Sequence, residues 1–272
     1  MGQAFLLWQE SAQRRFIVHY SVNMSEVAEP SLDYYPTFNH FFMRALKADA
    51  RPIASGDRVV VSPVDGFVSQ IGIIREQAKD QEVSPCLFQA KGHDYSLTSL
   101  LGNDAQLAKL FQAGSFATLY LSPRDYHRVH MPLTGRLRQM VFIPGRLFSV
   151  NPTTVAEVEG VFVKNERLVC IFETDLGPMA VILVGAICVG SMATVWADVV
   201  KADTLTHWDY AEKAPIILEK GSEMGRFIMG STVIVLFGQN AACWETTIVP
   251  ARSIQLGEVI GRAHTIDHEI SK

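Results

Sequence analysis

From Arg58 onward the chain is a succession of short apolar runs separated by turn residues, and this rhythm limits what it can fold into. The runs cover 59–61, 67–74, 116–121, 137–143, 161–163, 168–173, 179–189, 194–200 and 233–237. Runs of this length bounded by Gly, Pro, Asn and Asp read as strands. Lys164-Asn165-Glu166-Arg167 and Asp175-Leu176-Gly177-Pro178 read as hairpin turns, so neighbouring strands are expected to pair antiparallel. A helical interlude is expected over 96–112, where Leu97, Leu100, Leu101, Leu107, Leu110 and Phe111 are the apolar positions. The polar segment 75–91 reads as a surface loop.

The first fifty residues differ in character. Phe5, Trp8, Ala12, Phe16 and Tyr20 recur at helical spacing, with Arg14 and Arg15 beside them. A second helix is expected to carry Phe38, Phe41, Phe42, Ala45 and Leu46 on one stripe. Thr37 would be its N-cap, Arg44 and Lys47 would lie near its other end, and Arg51-Pro52 would break it. Two roles fit such helices: packing on the main domain, or lying in a membrane interface. The expected fold is α+β, a largely antiparallel β core with N-terminal amphipathic helices. Residues 1–52 are expected to form an N-terminal helical region, with membrane association as one of its two open roles, and 53–272 the main domain.

Composition narrows the classes further. At 272 residues and 48% hydrophobic, the chain can bury a large core. A net charge of −4 offers no basic excess for nucleic acid. Cys86, Cys170, Cys188 and Cys243 are far apart and make no Cys-x-x-Cys pair, which points to a reducing compartment without disulfides or structural zinc. The longest near-continuous apolar stretch, 179–192, contains Gly185 and Gly190 and falls short of the roughly 20 residues a membrane-spanning helix needs. The opening lacks the basic segment of a signal peptide. A soluble or peripheral protein is expected.

Three segments could carry chemistry. Gly230-Ser231-Thr232 stands between Glu223-Met224-Gly225-Arg226-Phe227 and the apolar run 233–237. His127 and His130 form a His-x-x-His pair between Pro123 and Pro132, and Asp65 lies between Pro63 and Gly66. Each also has a plain structural reading: a small residue opening a strand, polar residues at a strand-to-loop transition, a turn aspartate. A metal reading of the histidines needs a third ligand that the sequence does not supply, so no metal is expected. A Ser-His-Asp arrangement needs the carboxylate to accept the Nδ1–H of a histidine, which leaves Nε2 free to take a proton.

Over nearly its whole length the chain resembles the phosphatidylserine decarboxylase proenzymes, pyruvoyl-dependent enzymes that make phosphatidylethanolamine. The resemblance is carried, in order, by Thr37-Phe38-Asn39-His40-Phe41-Phe42, Ser62-Pro63-Val64-Asp65-Gly66, Ala90-Lys91-Gly92-His93, and the stretch from Leu121 to Pro132. It continues through Pro144-Gly145-Arg146-Leu147-Phe148-Ser149-Val150-Asn151, Asn165-Glu166-Arg167, Val184-Gly185-Ala186 and Glu223-Met224-Gly225-Arg226-Phe227. The usual Leu-Gly-Ser-Thr cleavage motif is Met229-Gly230-Ser231-Thr232 here, a volume-conserving change. The N-terminus is shorter than in bacterial members that begin with a further hydrophobic helix.

The resemblance implies a self-processing triad of Asp65, His130 and Ser231. Cleavage between Gly230 and Ser231 would leave a chain of residues 1–230 and a chain of residues 231–272 capped by a pyruvoyl group made from Ser231. That ketone would form a Schiff base with the serine headgroup of phosphatidylserine in a membrane, and carbon dioxide would leave. His127 would return a proton to the α-carbon, and His93, Phe148, Ser149 and Asn151 would line the substrate pocket. The resemblance further implies a homodimer of processed protomers. It also implies a peripheral protein on the cytoplasmic face of a bacterial membrane, since no Arg- and Ser-rich mitochondrial leader opens the chain. Two rivals remain at this point: a pyruvoyl decarboxylase of another amine, and a Ser-His-Asp hydrolase that leaves its backbone whole. The Gly-x-Ser-x-Gly elbow of α/β-hydrolases is absent.

Overall fold

The computed structural model describes residues 2–79, 82–187, 192–200, 202–228 and 231–264. The expected α+β architecture is present, with N-terminal helices against a largely antiparallel β core. The largest sheet has nine strands. Its main path runs Thr206–Asp209, Gly135–Ile143, Arg167–Thr174, Gly177–Gly185, Ser231–Phe237, Ser115–Leu121, Gly66–Ile73 and Ser253–Ile254, with Ile217–Leu218 paired to Gly135–Ile143. A four-stranded sheet runs Asp198–Val199, Met192–Thr194, Glu223–Phe227, Arg128–His130.

The strand Ser231–Phe237 lies inside the large sheet, paired along its whole length with Gly177–Gly185 on one edge and Ser115–Leu121 on the other. Its residues Val233 to Phe237 are all fully buried. A strand covered on both faces reads as a continuous apolar run rather than an alternating one. Each of these side chains contributes roughly 1.5–3 kcal/mol of burial. A chain cut just before Ser231 would therefore keep this strand in place.

Several expectations are corrected. Residues 161–163 form no strand: Val161–Lys164 is one helical turn entered through Gly160 at φ +62°, and Asn165 ends it. The 164–167 hairpin therefore does not exist, because a three-residue apolar run carries too little periodicity to separate a turn of helix from a strand. The hairpin at 175–178 is present, with Thr174 opposite Gly177. The segment 75–91 is not a loop but a hairpin of Arg75–Lys79 and Glu82–Ala90, joined by His93–Ser96. Leu87 and Gln89 point inward here and Phe88 outward, and the inward Gln89 donates its amide to the carbonyls of Val155 and Val158. A glutamine at an inward position hides the alternation.

Other bounds shift. The interlude 96–112 is two helices, Leu97–Leu100 and Ala105–Phe111, capped by Ser96 and Asp104. Residues 194–200 divide between Met192–Thr194 and Asp198–Val199. The first helix spans Gly2–Tyr20 as expected; the side chains of Phe5 and Trp8 lie outside the described residues. The second stops early, at Phe38–Phe42, although Thr37 caps it by accepting from the His40 amide. Past its end Arg44 is buried and Leu46 bridges Val27. A small separate cluster of Val22, Val27, Tyr35 and Phe41 forms the centre of this region. Among the described residues, no helix is long and apolar enough to cross a membrane.

Candidate active site

Ser231 opens its strand opposite Gly185 on one side and Leu121 on the other. Gly230 lies outside the described residues, and for Ser231 only the backbone pairing is described. Both histidines belong to the segment that continues from Leu121. Arg128–His130 pairs antiparallel with Glu223–Phe227, the strand that leads toward the Gly230–Ser231 bond. Two sheets, joined by the segment that continues from Leu121, thus bring the serine strand, the histidine segment and the run before the cleavage motif to one place.

His127 is fully buried and stacks on Phe42, with ring centroids 4.0 Å apart and planes 25° from parallel. Its Nε2–H donates to the Ser122 carbonyl at 3.1 Å, which fixes the tautomer and leaves Nδ1 an acceptor; that atom is buried without a hydrogen-bond partner among the described residues. Burial, aided by the nearby Arg44 guanidinium, pushes the imidazole down to about 3. His127 is therefore neutral in this uncut chain, and it can donate a proton only after first taking one up.

His130 faces elsewhere. Its Nδ1–H donates to the Gly221 carbonyl at 2.8 Å, and its Nε2 accepts from the Tyr126 hydroxyl at 3.1 Å. Burial lowers its affinity for a proton, so it stays a neutral base near pH 7. The Gly221 carbonyl thus performs the tautomer-fixing role expected of Asp65.

Asp65 is buried and bound to a different partner. Arg51 donates from Nε to Oδ1 at 2.8 Å and to Oδ2 at 3.0 Å, and from Nη2 to Oδ2 at 2.7 Å; the Leu256 amide adds 2.9 Å to Oδ1. Asp65 lines a cavity of about 540 Å³, whereas His130 lines another of about 210 Å³, and Arg51 and Tyr126 border both. The Asp65 turn nevertheless touches the histidine through the backbone, because the His130 amide donates to the Pro63 carbonyl at 2.9 Å. Gly66 must be glycine. Its φ is +149°, and a Cβ there would sit 2.1 Å from the Tyr120 carbonyl oxygen.

The remaining expected residues separate into two places. Phe148, Ser149 and Asn151 share a loop pinned by the buried Asn165. That side chain accepts from the Phe148 amide at 3.0 Å and donates to the carbonyls of Phe148 and Gly185, each at 2.8 Å. Gly185 is the strand partner of Ser231, so the loop is tied to the site. Asn151 caps the helix Pro152–Glu157, accepting from the Thr154 amide, and Ser149 Oγ accepts from the Asn151 amide. His93 opens the outermost strand of the three-stranded sheet, on the side of Glu157.

Sequence reasoning missed Arg51, Tyr126 and Phe42 as site residues, and Asn165 as the pin. Arg51 read as a helix breaker beside Pro52, and Phe42 as one apolar position on a stripe. Phe42, Tyr126 and Asn165 lie inside the matching stretches and so carried a local signal; Arg51 did not. Among the described residues no cluster of His, Cys, Asp and Glu could hold a metal ion.

Comparison with known proteins places this geometry. The family model described as phosphatidylserine decarboxylase matches residues 38–262. The chain is 54% identical over 250 residues to the phosphatidylserine decarboxylase proenzyme of Acidovorax ebreus, covering 91% of this chain and 84% of that one. Against the proenzyme of Bordetella avium the identity is 53% over 248 residues, covering 90% and 82%. For Marinobacter nauticus it is 50% over 249 residues, covering 91% and 84%. With the match spanning both histidines, Asp65 and the strand that begins at Ser231, the chain belongs to the phosphatidylserine decarboxylase family.

Proposed function

We propose that this chain decarboxylates phosphatidylserine to phosphatidylethanolamine, using a carbonyl cofactor that it makes by breaking its own Gly230–Ser231 bond. The carrying observation is the place of Ser231, at the first position of a strand paired on both edges and reached by the segment bearing both histidines. A cut there frees a new end without freeing the strand. The two products, residues 1–230 and 231–272, stay together as one protein.

His130 is suited to begin the cut, because its Nε2 is unprotonated and Tyr126 is its only side-chain partner to displace among the described residues. It takes the proton of the Ser231 hydroxyl, and Oγ attacks the Gly230 carbonyl carbon. The C–N bond breaks, the Ser231 nitrogen takes a proton, and an ester joins Gly230 to Oγ. Removal of the Ser231 α-proton then expels the Gly230 carboxylate and leaves a Cα=Cβ double bond. Water replaces the amine as ammonia, and the result is an N-terminal pyruvoyl group. Asp65 supports this step from the turn whose Pro63 carbonyl holds the His130 amide.

The residues present fit such a group. The buried Nδ1 of His127 has no hydrogen-bond partner among the described residues, and the ring is anchored to Ser122, next to the strand partner of Ser231. When formed, the group supplies a ketone that takes up the substrate's amine and draws off the electron pair left by departing carbon dioxide. His127 Nδ1 accepts a proton as the substrate's ammonium becomes an amine, and returns one to the α-carbon. The loop of Phe148, Ser149 and Asn151, tied to Gly185 through Asn165, borders the lipid headgroup; His93 lies by Glu157, at the far end of the helix that Asn151 caps.

Residues 1–52 dock the enzyme on the membrane. Val18 is 78% and Tyr34 66% exposed, with Tyr20 and the arginines 14 and 15 also at the surface. Residues 53–272 are the decarboxylase domain. The family resemblance supports a homodimer of processed protomers, peripheral on the cytoplasmic face of a bacterial membrane.

Mass spectrometry of the purified protein, with carbon dioxide release from phosphatidylserine vesicles, tests this reading. Two fragments parting between Gly230 and Ser231 are expected, the smaller lighter by one ammonia than a serine-started peptide. An active preparation showing one intact mass overturns it.

A further inference from the structure

Three consecutive residues at the end of the second N-terminal helix grip the segment that carries the histidines. Phe42, only 2% exposed, lays its ring on His127. The Met43 carbonyl accepts from Arg128 Nε at 3.0 Å. Arg44 Nη2 donates to the carbonyls of Arg124 at 2.8 Å and Asp125 at 3.1 Å. The Asp125 carboxylate in turn accepts from the Ser122 amide at 2.7 Å and from Ser122 Oγ at 2.5 Å, and it is the Ser122 carbonyl that receives His127 Nε2–H. The imidazole is held at its edge by a turn that Arg44 braces and on its face by Phe42.

The face contact carries the most information. The outer torsion of a histidine side chain is broad and two-fold, so backbone hydrogen bonding from the 122–123 turn at one edge does not by itself set the plane of the ring. Among the described residues Nδ1 has no hydrogen-bond partner that would stop rotation of the ring. A flat ring stacked at 4.0 Å does stop it. Phe42 also meets Phe16 of the first helix, ring centroids 6.1 Å apart, so that helix lies one ring away from the histidine.

We propose that Phe42 is a positioning residue for decarboxylation: its ring sets the plane of His127, so the N-terminal segment, and not the β domain alone, aims the proton-transfer nitrogen. The inference rests on the assignment of proton transfer to His127. Misplacing a reacting group by about 1 Å costs on the order of a hundredfold in rate, while substrate binding elsewhere is untouched.

Phe42→Leu, Phe42→Tyr, Arg44→Lys and His127→Ala are compared with the parent enzyme on phosphatidylserine in mixed detergent micelles. Fragment patterns report maturation, and histidine labelled at Cε1 reports the ring-current shift that Phe42 imposes. Phe42→Leu should mature, lose the shifted His127 resonance, and fall about 10- to 100-fold in kcat with KM within about twofold. Phe42→Tyr should keep the shifted resonance and stay within about threefold of the parent. A mature Phe42→Leu enzyme with parental kcat overturns the proposal, and so does a stacked but slow Phe42→Tyr enzyme. Should Phe42→Leu fail to fold, Arg44→Lys decides: lowered kcat at constant KM supports the clamp, and unchanged kcat overturns it. If His127→Ala turns over like the parent, the role of His127 itself falls, a result distinct from failure of the clamp.

Discussion

Arg51 holds Asp65 by both carboxylate oxygens, and this turns the carboxylate toward the N-terminal segment rather than toward His130. Arg51 Nη2 also reaches Glu26 at 2.9 Å, so one guanidinium joins an N-terminal 3₁₀ turn to the turn beside the proposed base. The pair is buried, with side-chain exposures of 10% and 9%. The two carboxylates raise the Arg51 pKa further above its ordinary value, Asp65 through its hydrogen bonds before all else.

Breaking this pair from one side should be costly. In a Ser231→Ala background, which stays one chain, Arg51→Met leaves a buried carboxylate without its cation and should lower stability by about 3–5 kcal/mol. The double change Arg51→Met with Asp65→Leu should recover most of that loss. Urea unfolding measures both. With Ser231 restored, the double variant should remain uncut, because the carboxylate is absent even though the fold is sound. If it matures normally, Asp65 has no part in cleavage.

Stability should fall with pH in a way that traces to His127. The imidazole is neutral in the fold, with a value of about 3, against an ordinary 6.5 in the unfolded chain. Below 6.5 the unfolded chain therefore binds a proton that the folded chain does not, so stability is lost as pH drops through 6.5 toward 3. At pH 5 the loss from this residue is about 2 kcal/mol. His130, also lowered by burial, acts with the same sign. In the Ser231→Ala background, His127→Phe should lose about 2 kcal/mol less than its parent between pH 7 and pH 5. Equal losses in urea melts at the two pH values would show that His127 takes up its proton in the folded chain.

Asn165 should matter for cleavage without touching the reacting bond. Its amide satisfies Phe148 on both backbone groups and Gly185 on its carbonyl, wholly out of water. Asn165→Leu leaves those groups unpaired and should cost about 2–4 kcal/mol. Because Gly185 is the strand partner of Ser231, maturation should slow as well. Denaturant unfolding of the Ser231→Ala form gives the first number, and a gel time course of the cleavable form gives the second. Unchanged maturation in a destabilised protein would show that the loop and the cleavage site are independent.

The apolar runs determined the antiparallel core, since a continuous run such as Val233–Phe237 has no stable place except between two strands and two packed faces. Thr37 as a cap and the 175–178 hairpin were equally local, because a side-chain cap and a tight turn need only their immediate neighbours. Short or disguised patterns were not. Val161–Lys164 became a helical turn because Gly160 and Asn165 impose its ends, and Gln89 concealed a strand by filling an inward position with an amide. Identity of the reactive groups came from residue types in order along the chain. Their partners did not, because hydrogen bonds cross distances in sequence that no local spacing encodes. Arg51 reaches Asp65, Gly221 reaches His130 and Phe42 covers His127 only because the folded chain packs its N-terminal segment and the 221 turn against the 122–130 segment. Tertiary structure therefore decided which carbonyl sets the tautomer of the base, and which histidine is fully buried.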